Sequence, residues 1–319
     1  MTARSSSVRD PLSSSVLAVA KPVMLNIMVR SFRIKGWADP VHYITITVCE
    51  IFALTMNFSI HQASHIGNRR FNQDRVAYAY TSDALLLVLA DGMGGHLHGE
   101  LAASLTIDTF VESFGKHAQP RVAEPNKFIQ KTMRHAHERI MKLPHDQDMG
   151  SFPGTTCVAA LIQDGRMYWG HAGDSRLYLL RDGEVYARTY DHSVVQQWVE
   201  SGKLSEEQAR VHPQRNHITN CLGGIEDVFF MEDGEPITLR SGDVLLLGSD
   251  GLWGPFTDRE LVESFFSLPV NEVLEGLVGL ALEREEGHSD NVTGLAVRWG
   301  INEEAHDTAE PVSHVLEIV

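Results

Sequence analysis

The 319-residue sequence is poor in cysteine, and none of its three, Cys49, Cys157 and Cys221, stands in a CxxC pair. An odd number at such separations provides neither a disulfide framework nor a cysteine-rich zinc site, and it fits a reducing, cytoplasmic setting. Basic charge is also short, with 27 Lys and Arg against 42 Asp and Glu and a net charge of −15. Without a basic excess to displace counterions, a nucleic-acid backbone is excluded as the main partner. Long apolar runs are missing as well. The stretch from Val41 to Thr55 contains Glu50 and falls short of the roughly 18–20 residues that cross a bilayer, so no membrane partner is expected. It also begins too far from the amino terminus for a signal peptide.

What is present is an ordinary globular composition, 43% hydrophobic, ample for a substantial core. Residues 1–55 carry six Lys/Arg against three Asp/Glu, whereas residues 301–319 carry five acidic residues and no basic one. The serine-rich residues 1–20 have no amphipathic period and read as disordered. Residues 1–55 are therefore expected to lie outside the fold, or to reflect an upstream start codon. Residues 301–319 are expected to form an acidic mobile tail, leaving 56–300 as the folded domain.

Within that domain the pattern predicts strands at 58–63, 75–81 and 84–90, then helices at 99–116 and 124–142, with Leu101, Leu105, Phe110 and Phe114 at helical spacing. Strands follow at 156–163, 166–171, 175–181 and 184–188, and the pairs Asp164-Gly165 and Asp182-Gly183 mark hairpins. Residues 191–224 interrupt the strands with two short helices opened by Ser193/Gln196 and Ser205/Gln208 capping boxes, and read as an inserted flap. Further strands are expected at 227–231, 243–247 and 291–299, with one helix opening at Thr257, capped with Glu260, and another over 271–284. Hairpin-linked strands with helices in pairs imply an α+β fold of antiparallel sheets rather than a parallel βαβ one.

Two apolar runs end in Asp-Gly: LLLVLADGMGGH at 85–96 and DVLLLGSD followed by Gly251 at 243–251. Asp91 and Asp250 then close strands, while Asp74 and Asp290 precede strands. In antiparallel sheets a strand's end and its neighbour's start share an edge, so the four can converge, and Asp174 in GHAGDSRLYLL can join them. Such a cluster repels itself unless cations neutralise it. All-oxygen ligands favour Mg²⁺ or Mn²⁺ over zinc, and a backbone carbonyl such as that of Gly92 can add a ligand. Two ions about 3.5–4 Å apart can share a water, lower its pKa and hold a phosphoryl group under attack. Arg69 precedes Asp74 closely enough to offer its planar fork to phosphate, with Arg70 as competitor. Singly, each feature has a plainer reading: Asp-Gly as a turn, Arg69 as a surface charge, His192 as helix-entry packing or flap function, Cys157 as a small core residue.

GNRRFNQD, LADGMGGH, FPGTTCVAALI, GHAGDSRLYLLRDG, the DHS to LGG segment, LLLGSDGLW and GHSDNVTGLAV occur in that order over residues 56–300. Together they resemble the bacterial form of the PPM, or type 2C-like, metal-dependent serine/threonine protein phosphatases. The resemblance implies a central sandwich of two antiparallel β-sheets flanked by helix pairs, in four α-β-β-α layers. It implies hydrolysis of phosphoserine and phosphothreonine by a hydroxide bridging two Mg²⁺ or Mn²⁺ ions, with a weaker third ion possible. By position, Asp91 bridges both ions, the Gly92 carbonyl binds one, and Asp250 and Asp290 bind the other. Asp74 holds metal-bound water, Arg69 binds the substrate phosphate, and Asp174 with Asp250 resembles the third-ion site. Phosphorylated proteins, a cognate Ser/Thr kinase and a monomeric state are the implied partners and assembly.

Two positions depart from the family pattern. Gln73 stands where glutamate is frequent, and Met93 stands where many eukaryotic members carry a candidate leaving-group acid; His96, His98 or metal-bound water remain for that role. Two other functions could use the same residues: a catalytically silent phospho-signalling module of this fold, and a phosphatase of small metabolites.

Overall fold

The computed structural model describes residues 56–93, 97–143, 152–224, 229–266 and 268–300. The expectations for 1–55, for 301–319, for His96 and for the His98 side chain lie outside the described residues. The amino-terminal half contains β1 (Phe58–His65), β2 (Asp74–Tyr80), β3 (Ala84–Met93), α1 (Leu97–His117), α2 (Pro125–Ile140), β4 (Gly154–Thr155), β5 (Cys157–Gln163) and β6 (Arg166–Ala172). Then come β7 (Arg176–Arg181), β8 (Glu184–Arg188), α3 (Val194–Glu200), α4 (Glu206–Arg210), β9 (Leu222–Gly223), β10 (Glu232–Asp233) and β11 (Ile237–Thr238). The last group is β12 (Val244–Gly248), α5 (Asp250–Trp253), α6 (Asp258–Ser264), α7 (Val270–Arg284) and β13 (Val292–Trp299).

The strands form two antiparallel sheets. One runs β1-β13-β12-β7-β8; the other runs β10-β6-β5-β3-β4-β9, with β2 also on β3 and β11 on β6. The apolar run of β3 explains the layering. Leu85, Leu87 and Leu89 point between the sheets, against Leu245, Leu247, Leu295 and Val297. Leu86, Val88 and Ala90 point the other way, onto Ile107 and Phe110 of α1 and Ile129 and Met133 of α2. Leu246 and Ala296 face Leu252, Leu274 and Leu277 on the opposite outer face. Both sheets are thus covered on both faces, which is why an antiparallel strand reads as continuously apolar instead of alternating. Each such leucine contributes roughly 1.5–3 kcal/mol of burial.

Local sequence chemistry sets the ends. Asp164-Gly165 and Asp182-Gly183 take positive φ at both residues and close the β5–β6 and β7–β8 hairpins. Ser205/Gln208 and Thr257/Glu260 form reciprocal capping boxes, whereas Ser193 caps α3 through the Gln196 N–H alone.

Three further expectations are corrected. Leu101 is 51% exposed, since the buried face of α1 at this end is made of Ala102, Ala103 and Thr106. The strand expected at 227–231 is displaced: 229–231 are irregular, and only Glu232–Asp233 pair, with His171 and Gly170 of β6. Asp250 does not end a strand but opens the single turn of α5.

Candidate metal centre

Adjacent strands of one sheet deliver the first two carboxylates, since Asp74 and Asp91 are direct partners across β2 and β3. The second pair comes from the other sheet: Asp250 stands just past β12 and Asp290 just before β13, two strands that pair with each other. Asp174 lies in the turn from β6 to β7, of which β6 belongs to the first sheet and β7 to the second. Both sheets therefore meet at this edge.

The backbones approach closely there. A Cβ on Gly92 would stand 2.2 Å from the Gly99 carbonyl oxygen, and one on Gly251 would stand 2.1 Å from that of Asn291. Only glycine fits either position. Asn291 ties the loop before β2 to the site: its Nδ2 donates to the carbonyls of Ile66 and Phe71 at 2.8 and 3.0 Å, and its Oδ1 accepts the Gln73 N–H at 2.8 Å. Asn68 Oδ1 accepts from the Ser289 hydroxyl at 2.8 Å. These contacts bring Arg69 to Asp290, with Nη2 donating to Oδ2 at 2.6 Å. Arg69 and not Arg70 lines the cleft, which holds about 670 Å³ and also takes in Asp174, Asp250 and Asp290.

Thr156 connects the carboxylates from below. Its Oγ1 accepts the Asp91 N–H at 2.9 Å and lies 2.7 Å from the Ser175 hydroxyl, next to Asp174. Ser249 Oγ donates to Asp74 Oδ2 at 2.8 Å. Sequence reasoning did not single out Asn291, Thr156 or Ser249; the only signal was that Ser249 and Asn291 neighbour the motif aspartates Asp250 and Asp290 and that Thr156 lies within FPGTTCVAALI.

The electrostatics are those of a crowded anionic site. Burial first, and then the neighbouring aspartates, push the carboxyls of Asp91 and Asp174 well above the usual range. Burial raises Asp74 to about 6 against the opposing Ser249 hydrogen bond, and burial with the charges of Asp290 and Asp74 raises Asp250 to about 7. Both oxygens of Asp290 accept hydrogen bonds, one from Arg69 and one from its neighbour's N–H. Asp74 Oδ1, Asp174 Oδ1 and Asp250 Oδ1 are buried without a hydrogen-bond partner. Orphaned carboxylate oxygens at one edge, with Arg69 the cation paired to the cluster, fit an all-oxygen site for Mg²⁺ or Mn²⁺.

A layered α-β-β-α sandwich with such a carboxylate edge defines the class of metal-dependent phosphohydrolases built on two antiparallel sheets. The family model described as "Protein phosphatase 2C" matches residues 61–275, and the chain belongs to that family. It is a metal-dependent phosphoprotein phosphatase, with Mg²⁺ or Mn²⁺ as its metal. It is 31% identical to Protein phosphatase PhpP of Streptococcus pneumoniae over 75% of this chain and 96% of the relative. It is 36% identical to the serine/threonine protein phosphatase PstP of Mycobacterium tuberculosis over 70% of this chain and 41% of the relative. Among solved structures, the Streptococcus agalactiae serine/threonine phosphatase aligns with a TM-score of 0.68 at 30% identity, covering 76% of this chain and 99% of that one. The PstP catalytic domain in complex with two manganese ions aligns with a TM-score of 0.60 at 30% identity, covering 77% of this chain and 99% of that one.

Proposed function

We propose that this chain removes phosphate from phosphoserine and phosphothreonine in proteins, with Asp91, the Gly92 carbonyl, Asp250 and Asp290 holding two Mg²⁺ or Mn²⁺ ions. Asp174 with Asp250 takes a weaker third. The observation that carries this reading is the convergence of carboxylates from both sheets at one edge, where Asp74, Asp174 and Asp250 each keep one oxygen buried and unpartnered, beside a cleft lined by Asp174, Asp250 and Asp290. A module that only binds phosphoproteins has no use for so costly a cluster of like charge.

When bound, the ions supply Lewis-acid polarisation of the phosphoryl group and a water of lowered pKa for in-line attack. The chain supplies the rest. Asp74, fixed by Ser249, orients water through its free oxygen. Arg69 uses one of its five N–H donors on Asp290 and offers the others to phosphate oxygens at the cleft rim. Gln196 and Val199 of α3 and Arg210 of α4 wall the cleft on the flap side, where residues flanking the phosphorylated side chain would lie. As partners we infer phosphorylated proteins and the Ser/Thr kinase that modifies them. Helix-covered outer faces on both sheets favour a monomer, and the scarcity of cysteine, with Cys157 buried as a core thiol and no CxxC pair in the chain, favours a cytoplasmic location.

The test is steady-state hydrolysis by the full chain of phosphoserine and phosphothreonine peptides against p-nitrophenyl phosphate and sugar phosphates, in Mn²⁺ and then in excess EDTA. Peptide kcat/KM at least about tenfold above the small esters, abolished by EDTA and restored by Mn²⁺, is expected. Preference for small esters would make it a metabolite phosphatase, peptide binding without turnover a silent module, and turnover in EDTA would exclude the metal mechanism.

A further inference from the structure

Asp174 is carried by the turn Gly173-Asp174-Ser175, and that turn is gripped by the residue that opens the flap. Gly173 gives both backbone groups to His192: its N–H donates to Nδ1 at 3.1 Å, and its carbonyl accepts the His192 N–H at 3.0 Å. The His192 carbonyl in turn accepts the N–H of Thr219 at 2.7 Å, so both ends of the flap close on this residue. Gly173 has no slack to drift, because its φ is +106° and a Cβ would stand 2.6 Å from Thr156 Cγ2. On the other side Trp253 Nε1 donates to the Asp174 carbonyl at 3.1 Å. The Arg176 guanidinium lies 3.4 Å from the Trp253 ring centre and binds both oxygens of Asp191 at 2.7 and 2.8 Å.

The hydrogen bonds fix the His192 tautomer. Asn220, held by paired bonds to the Phe230 backbone, also donates to Nδ1, at 2.8 Å. With two donors at Nδ1, the ring hydrogen sits on Nε2, which donates to Glu232 at 3.2 Å. His171, stacked on His192 with ring centres 4.4 Å apart and bonded through Nε2 to the Tyr190 carbonyl, backs the ring. His171, His192 and Glu232 have ligand atoms within 4.8 Å of one another, a spacing open to zinc. A His192 Nε2 that carries hydrogen has no lone pair for a metal, and moving that hydrogen to Nδ1 would set it against the Gly173 N–H. His192 instead relays hydrogen bonds from Glu232 to Gly173, with His171 stacked behind its ring.

We propose that His192 is a positioning residue: through Nδ1 it fixes Gly173 and hence the Asp174 carboxylate, so that the flap governs the outer cation position shared by Asp174 and Asp250. This rests on the reading above that those two aspartates take a weaker third ion. The flap then acts on the metal centre as well as on the substrate.

The experiment counts bound Mn²⁺ on the full chain by electron paramagnetic resonance of the free ion, alongside kcat and KM on a phosphopeptide. His192→Asn keeps an acceptor at the position of Nδ1 and loses the reach to Glu232; His192→Gln does the reverse; His192→Ala loses both. Wild type and His192→Asn should bind two tight ions and one weak one. His192→Gln and His192→Ala should weaken the third roughly tenfold, leave the tight pair intact, and recover kcat in excess Mn²⁺ with KM little changed. Glu232→Gln should behave as wild type. The proposal is overturned by a His192→Asn protein as defective as His192→Ala, by a His192→Gln protein that binds normally, or by failure of both to fold. A wild type with only the tight pair also overturns it while leaving the two-ion reading intact; absence of the tight pair overturns that reading itself.

Discussion

At the scale of single residues, the carboxylates act against the fold that presents them. Asp250 is raised to about 7 by burial and by Asp290 and Asp74, and one of its oxygens has no partner. Asp250→Asn should therefore abolish most phosphatase activity yet raise the melting temperature of the metal-free protein at pH 8, by about 2–4 °C for each ~1 kcal/mol of repulsion relieved. A calorimetric scan in EDTA giving a lower melting temperature would contradict this account. Arg69, whose side chain is 59% exposed and paired only at the rim, should behave differently. Arg69→Ala is expected to raise KM for phosphopeptide about tenfold or more with the fold unchanged, and an unaltered KM and kcat would remove it from the phosphate site. The aspartates and Arg69 could be singled out from the sequence because each sits in a short motif whose chemistry is local. Asn291 and Ser249 could not, because their bonds to Gln73 and Asp74 span 218 and 175 residues. His192 was legible as a flap residue but not as a grip on Gly173, since that depends on which ring nitrogen meets a backbone N–H.

At the scale of elements, turn and cap chemistry carried far and periodicity less far. The two Asp-Gly hairpins and the Thr257/Glu260 box depend on neighbours in sequence and form as expected. Thr257→Ala should cost about 1 kcal/mol through loss of the α6 cap, read as a lower melting temperature and faster amide exchange in residues 258–264. Unchanged exchange there would show the cap to be redundant. α1 shows the limit. Its amino-terminal end passes so close to β3 at Gly92 and Gly99 that the buried face must be built from Ala102 and Ala103, and Leu101 is turned outward. A search for large apolar residues at helical spacing picks Leu101, because it cannot know that two backbones nearly touch. α5, a single turn, is too short to have a period at all.

At the scale of the whole molecule, pH stability follows from the site. Ordinary unfolded carboxyls ionise near ~4, whereas Asp74 and Asp250 keep their protons to about 6 and about 7, and burial holds those of Asp91 and Asp174 well above the ordinary range as well. The native metal-free protein then binds more protons than the unfolded chain, so its stability falls as pH rises through that range. His171 and His192, whose pKa values burial lowers, favour the native state with rising pH, but only up to about 6.5, where the unfolded imidazole is neutral anyway. Above about pH 6.5 the carboxylates act alone, and Asp250 sheds its proton at about 7. Melting temperature in EDTA should drop by roughly 2 °C between pH ~6.5 and ~7.5, and Mn²⁺ should cancel the drop because it displaces the same protons. A metal-free protein that gains stability over the interval would refute the assignment of these shifts.

The carboxylates come from two sheets: Asp74 and Asp91 from β2 and β3, Asp250 and Asp290 from the ends of β12 and β13. An ion seated between them is a rivet through the seam as well as a reagent. Starved of divalent metal, a cell would hold this enzyme not only idle but unbuttoned along one edge, exposed to proteases there, so that metal supply would set its lifespan together with its rate.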